Sequence, residues 1–139
     1  MLTEVIQIRP RYGEVDQMGY VYHANYISYC HQARTELLRK YGINDKILED
    51  NNVILPVISF EIEYFKPAYY DELLSIKVLM REIPKARLNF EFEIHNKNNI
   101  RICQAKSTLV FADRISRLPQ VVPDFVEKAI RKSFNLIHT

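Results

Sequence analysis

Glycine is scarce in this sequence: three residues among 139, at positions 13, 19 and 42. They cannot supply the G-x-G-x-x-G turn of a dinucleotide fold, a P-loop, or a G-x-S-x-G nucleophile elbow. Cysteine is nearly as rare. Cys30 and Cys103 stand far apart with no C-x-x-C, and the histidines form no H-E-x-x-H, so redox and zinc-protease chemistry lack their residues. An excess of one charge is also missing: 19 Lys and Arg against 17 Asp and Glu leave a formal +2, scattered along the chain. So mild a balance does not argue for nucleic acid as a partner. No apolar run exceeds four residues, Leu109 to Ala112, so no membrane-spanning helix is expected. Met1 to Tyr12 alternate in character and carry Glu4 and Arg9, which is not a signal-peptide core. A cytoplasmic protein with reduced cysteines is the expectation.

What is present suits one globular unit. An apolar fraction of 47% and a charged fraction of 26% are ordinary for a folded domain, and 139 residues make a single domain, 1–139. Residues 3–9 alternate as a first strand, with Ile6 and Ile8 on one face and Pro10 closing it. A polar loop runs from Arg11 to about Tyr20. Then Tyr22, Tyr26, Cys30, Ala33, Leu37 and Tyr41 recur at helical spacing, and this stripe of tyrosines and small residues is expected in the core. Arg39 and Lys40 suit the negative end of that helix, and Gly42 stands where a C-terminal cap belongs.

From Val53 the period drops to two. Ile58, Phe60, Ile62 and Tyr64 share a face; a turn at Lys66-Pro67-Ala68 leads to a strand over 72–81; Leu88, Phe90, Phe92 and Ile94 alternate with Asn89, Glu91 and Glu93. A polar hairpin at 95–99 leads to a fifth strand over 100–112, and Pro123 opens a short closing helix. Asp71 is expected to stabilise the turn after Pro67. His31 reads as a satisfied helix residue; His95 and His138 read as surface groups. Four successive strands after one long helix imply an α+β layer fold, not alternating βαβ units. A five-stranded antiparallel sheet wrapped around one central helix is the economical arrangement. It leaves a long strand edge unpaired, which invites a second copy of the chain.

The segment from Arg11 to Tyr26 is the densest in chemistry. It sets Asp16 and Gly19 just ahead of the helix start. The first N–H groups of a helix lack internal partners and carry about half a positive charge, so they can hold an oxygen that is becoming negative. An aspartate, with a reference pKa of about 3.9, is ionised at neutral pH but weakly basic. A thiolate leaving group needs little help from an acid, whereas an amine or alkoxide needs a strong proton donor. A lone carboxylate beside backbone donors therefore favours thioesters over amides.

Asp16-Gln17-Met18-Gly19-Tyr20-Val21-Tyr22-His23-Ala24-Asn25-Tyr26, followed by Ala33-Arg34-Thr35-Glu36, resembles the acyl-CoA thioesterases of the 4-hydroxybenzoyl-CoA thioesterase family, nearest the Tol-Pal-associated group. Tyr64-Phe65-Lys66-Pro67-Ala68-Tyr69-Tyr70-Asp71-Glu72-Leu73 is similar to that family's second signature. The resemblance runs in register over nearly the whole chain. It implies the hotdog fold, assembled as a homodimer or a dimer of dimers, and a coenzyme A thioester as substrate with no metal or bound cofactor. It implies Asp16 as catalytic base or nucleophile, and His23 as the residue whose backbone N–H polarises the thioester carbonyl while its side chain lines the site. It further implies Tyr12 in the same pocket, Gly19 and Tyr22 as substrate-binding, and Lys66, Lys85 and Arg87 as candidates for the coenzyme A phosphates. Val15 departs from the pattern, standing where the family commonly has a small hydroxyl residue or cysteine.

Without its context Asp16 reads as a turn or capping residue, and His23 as a capping histidine. Cys30 and Cys103 read as buried small apolar residues, not nucleophiles. Two other functions compete: a non-catalytic acyl-CoA or acyl-carrier-protein binding module, and a hydroxyacyl dehydratase. The dehydratase needs a histidine in a proline-bearing loop, and no proline lies between Pro10 and Pro56.

Overall fold

The computed structural model describes residues 1–138, with side chains through Asn135, so His138 lies outside the described side chains. The elements in chain order are β1 (Leu2–Ile8), a 3-10 turn (Tyr12–Glu14), α1 (Asn25–Lys40), α2 (Asp45–Asp50), β2 (Val53–Ile54), β3 (Val57–Tyr64), β4 (Leu74–Met80), β5 (Arg87–His95), β6 (Arg101–Asp113), β7 (Pro119–Gln120) and α3 (Asp124–His138). All strand pairs are antiparallel. The long strands run in the order β1-β4-β5-β6-β3, and the two-residue strands β2 and β7 add to β6. The expected five-stranded sheet is therefore present, with two short additions that the sequence pattern did not signal.

The alternation along β5 translates into burial: Leu88, Phe90, Phe92 and Ile94 are buried while Asn89 faces solvent. β4 behaves likewise through Leu74, Ile76, Val78 and Met80. These side chains meet Tyr26, Tyr29, Cys30, Ala33, Leu37 and Leu38 of α1, which lies against β1 and β4. The helix is thus the filling of a curled sheet, as expected.

Its limits differ from the expected ones. α1 starts at Asn25, not Tyr22: the Tyr22 amide is tied to the Glu14 carbonyl (2.8 Å), and the Tyr22 carbonyl accepts from Asn25 N (2.9 Å) in a tight turn that precedes the helix. Tyr22 is consequently half exposed and outside the core, whereas Tyr26 and Tyr29 are buried. At the other end Gly42 takes φ 84°, its amide bonding Arg39 O while Ile43 N bonds Leu38 O. That pair is a Schellman cap, in the place the sequence assigned to it. Asn44 then opens α2, which had not been expected, its side chain accepting from Ile47 N at 2.9 Å.

β3 forms one border of the sheet, bonded to β6 alone. Val57, Ile58 and Tyr64 on it, and Phe65 after it, are exposed. Among the described residues no helix is long and apolar enough to cross a membrane.

Candidate active site

The two sequence signatures are far apart in the chain and stitched together in space. Val21 N donates to Ala68 O (2.8 Å), Ala68 N to the Tyr26 hydroxyl (3.1 Å), and Asp71 N to Pro10 O (3.0 Å). The Arg9 guanidinium adds a bond to Asp71 O at 2.7 Å. Asp71 thus anchors its turn through backbone atoms at φ 62°, and it is the Glu72 carboxylate that accepts from Tyr69 N. Burial pushes the Tyr26 phenol up to about 12, so it remains protonated as the pivot of this junction.

Asp16 sits in the loop so positioned. Its Oδ1 accepts from Met18 N (2.9 Å) and Tyr20 N (3.2 Å), and its carbonyl accepts from Gly19 N (3.0 Å). Gly19 supports this turn with φ 81°, a conformation that costs a residue without Cβ little. One carboxylate oxygen therefore fixes the loop, while Oδ2 bonds nothing among the described residues. The start of α1 is uncapped: Ala24 offers no side-chain bond and no acidic residue lies in the first turn. The amides of His23 and Ala24 donate to no acceptor among the described residues.

Asp16, Tyr20, His23, Tyr26, Tyr64 and Lys66 line one open cleft of about 330 Å³. The His23 ring packs on Tyr22 at 4.5 Å and meets the edge of Tyr64 at 6.3 Å. Tyr64 donates its hydroxyl to His23 O (3.1 Å), and burial raises its pKa. Sequence reasoning did not single out Tyr64 as a site residue, although it opens the second signature. Tyr12 is elsewhere: it is 80% exposed and packs edge-on against Tyr70 at 5.8 Å, away from the cleft that holds Asp16. Gly19 shapes the loop, and Tyr22 packs on His23 without lining the cleft. Lys66 is at the cleft, whereas Lys85 lies on the β4–β5 turn and Arg87 opens β5, both outside the cleft.

Cys30 and Cys103 are both buried and unbridged. Burial raises both thiols, Cys103 to about 12, which leaves neither a thiolate nucleophile at neutral pH. No group of three or more His, Cys, Asp or Glu among the described residues could hold a metal ion.

A long helix wrapped by a curled antiparallel sheet is the hotdog architecture. Residues 10–130 match the family model of the thioesterase-like superfamily, and the chain belongs to that family. It is 30% identical over 116 residues to the acyl-CoA thioester hydrolase YbgC of Escherichia coli, covering 84% of this chain and 87% of that one. It is 29% identical over 119 residues to the 1,4-dihydroxy-2-naphthoyl-CoA hydrolase of Gloeothece citriformis, covering 84% and 83%. Among solved structures, the DHNA-CoA thioesterase of Staphylococcus aureus superposes with a TM-score of 0.89 at 25% identity, over 99% of this chain and 95% of that one. The protein is an enzyme that hydrolyses thioesters.

Proposed function

We propose that this thioesterase cleaves an acyl-CoA to the free carboxylic acid and coenzyme A in the cleft between Asp16 and the start of α1. The observation that carries this reading is the meeting, in one cleft, of a carboxylate with a free Oδ2 and an uncapped helix end. The thioester carbonyl is held toward the His23 and Ala24 amides, where the helix dipole favours the charge that builds on its oxygen. Asp16 acts through Oδ2, either taking a proton from the attacking water or attacking the carbonyl itself to give a mixed anhydride that water then opens. In both routes the C–S bond breaks, the thiolate leaves without an acid, and no metal or cofactor is required. The His23 ring and Tyr64 form the cleft wall beside the carbonyl, Gly19 keeps the loop in shape, and Tyr22 braces His23. Tyr12 can contribute only from a second copy or after the loop moves. Lys66 is placed to meet a phosphate of coenzyme A at the mouth.

The active form is proposed to be a homodimer, or a dimer of dimers, joined along β3. The support is its unbonded border and the exposed Val57, Ile58, Tyr64 and Phe65, two of which belong to the Asp16 cleft. The two free buried thiols accord with a cytoplasmic setting.

The test is Asp16→Asn, assayed by thiol release from octanoyl-, palmitoyl- and benzoyl-CoA. Kcat should fall by at least about 100-fold, in line with loss of a general base, with the circular dichroism spectrum unchanged. Equal turnover by both proteins rejects the role of Asp16.

A further inference from the structure

A second cavity, of about 360 Å³, lies between the later turns of α1, α2 and β2 and shares no residue with the Asp16 cleft. Arg34 is in its wall. At 9% exposure it is the sole charged side chain buried among the described residues. A buried charge is costly unless paired, yet none of the six ion pairs among the described residues includes Arg34. The one hydrogen bond of its side chain among the described residues is to the Nδ1 of His31, at 2.6 Å. That nitrogen accepts, so the ring is neutral, and burial together with Arg34 lowers the pKa of His31. Burial also lowers the pKa of Arg34, but a guanidinium starts so high that it keeps its charge. Its other nitrogens are not sealed in the core as orphans; they open on the cavity.

Asp45, Glu49 and Arg114 line the same cavity, and neither carboxylate forms an ion pair with Arg34. Glu49 is taken by Arg114 at 3.2 Å, and Asp45 supports the charge only from beyond ion-pair distance, on the exposed first turn of α2. The apolar part of the lining is formed by Leu38, Leu48 and Val53. A guanidinium fork matches a carboxylate with two parallel bonds, and a cavity of this size is within the range of small-molecule sites.

We propose that this cavity binds the carboxylate of an acid with an apolar body, Arg34 holding the charge and the α1–α2–β2 wall holding the chain. Two sources share that chemistry. One is a free monocarboxylic acid. The other, which rests on the proposed reaction at Asp16, is the far carboxylate of a dicarboxylyl thioester, reaching along the nine residues, roughly 14 Å, from Asn25 to Arg34.

Titration calorimetry with octanoate tests the first, on wild type, Arg34→Gln and Thr35→Trp, the last filling the cavity from its rim without removing the charge. Both variants should weaken octanoate at least tenfold, and octylamine should not compete. Thiol release tests the second: Arg34→Gln should slow the ω-carboxy analogue of lauroyl-CoA, whose chain is long enough to span that distance, at least tenfold while leaving lauroyl-CoA unchanged. A change in either arm supports the site and identifies its source. Unaltered octanoate affinity in Thr35→Trp, together with an unaltered ratio of the two thioesters, overturns it. So does a fall in self-association alone, which would give Arg34 a carboxylate from a second copy. Absence of thiol release from every substrate would defeat the reading of Asp16 and leave the calorimetry standing.

Discussion

Glu14 stands two residues before Asp16, and its contacts show how single groups set the geometry of the cleft. Its carboxylate accepts from Arg11 N and from the Tyr29 hydroxyl, each at 2.8 Å, while its carbonyl accepts from Tyr22 N and Asn25 Nδ2. One residue thus ties the 3-10 turn, the loop and α1 together. Burial and this bond to Glu14 raise the Tyr29 pKa, so the phenol stays a donor. Tyr29→Phe should cost about 1.5–3 kcal/mol, the usual worth of a bond to a charged acceptor, measured by urea unfolding; a variant as stable as the wild type would remove Tyr29 from the clamp. The converse case is Ser107, whose buried hydroxyl has no partner among the described residues. It lies opposite Phe60 and Phe90 in the sheet. Ser107→Ala should gain about 1 kcal/mol by removing an unsatisfied group, raising the melting temperature by about 3–4 °C. A lowered melting temperature would show that the hydroxyl is satisfied in solution.

The elements record where local pattern suffices and where it does not. β5 and the Gly42 cap could be read directly, because alternation and a glycine after a basic turn are local signals with one structural solution. Gly42→Ala forces a Cβ into φ 84°, where nothing crowds it but the backbone is strained. It should cost about 1–2 kcal/mol by thermal unfolding, and a neutral outcome would mean that the cap rearranges freely. The start of α1 is not legible at Tyr22 because helical spacing continues through Tyr22 and Tyr26, whereas the Tyr22–Asn25 turn and the bond to the Glu14 carbonyl form only once the loop is folded. α2 is six residues long, too short to show a period, and only the Asn44 cap betrays it.

At the scale of the whole molecule the border formed by β3 governs assembly in the proposed dimer. A strand with unpaired N–H and C=O groups and exposed Val57 and Ile58 is a template for another strand. The wild type should sediment as a dimer or larger at micromolar concentration, and Ile58→Lys should shift it toward monomer and lower turnover, since Tyr64 and Phe65 lead from that strand into the cleft. Analytical ultracentrifugation checks this; a wild type that stays monomeric with full activity would rule out the pairing.

The sequence by itself determined the layer architecture, the long helix, the strand alternation and the candidacy of Asp16 and His23. All of these rest on periodicity, on local residue chemistry, or on runs short enough to be recognised in place. Tertiary structure decided that Tyr64 joins His23 while Tyr12 turns away, that Glu14 clamps the loop, and that Arg34 lies buried beside a neutral histidine. Those contacts span 3 to 41 residues. Which side chains meet depends on how the sheet curls around the helix, and where a buried charge ends up depends on which carboxylates the fold leaves out of reach.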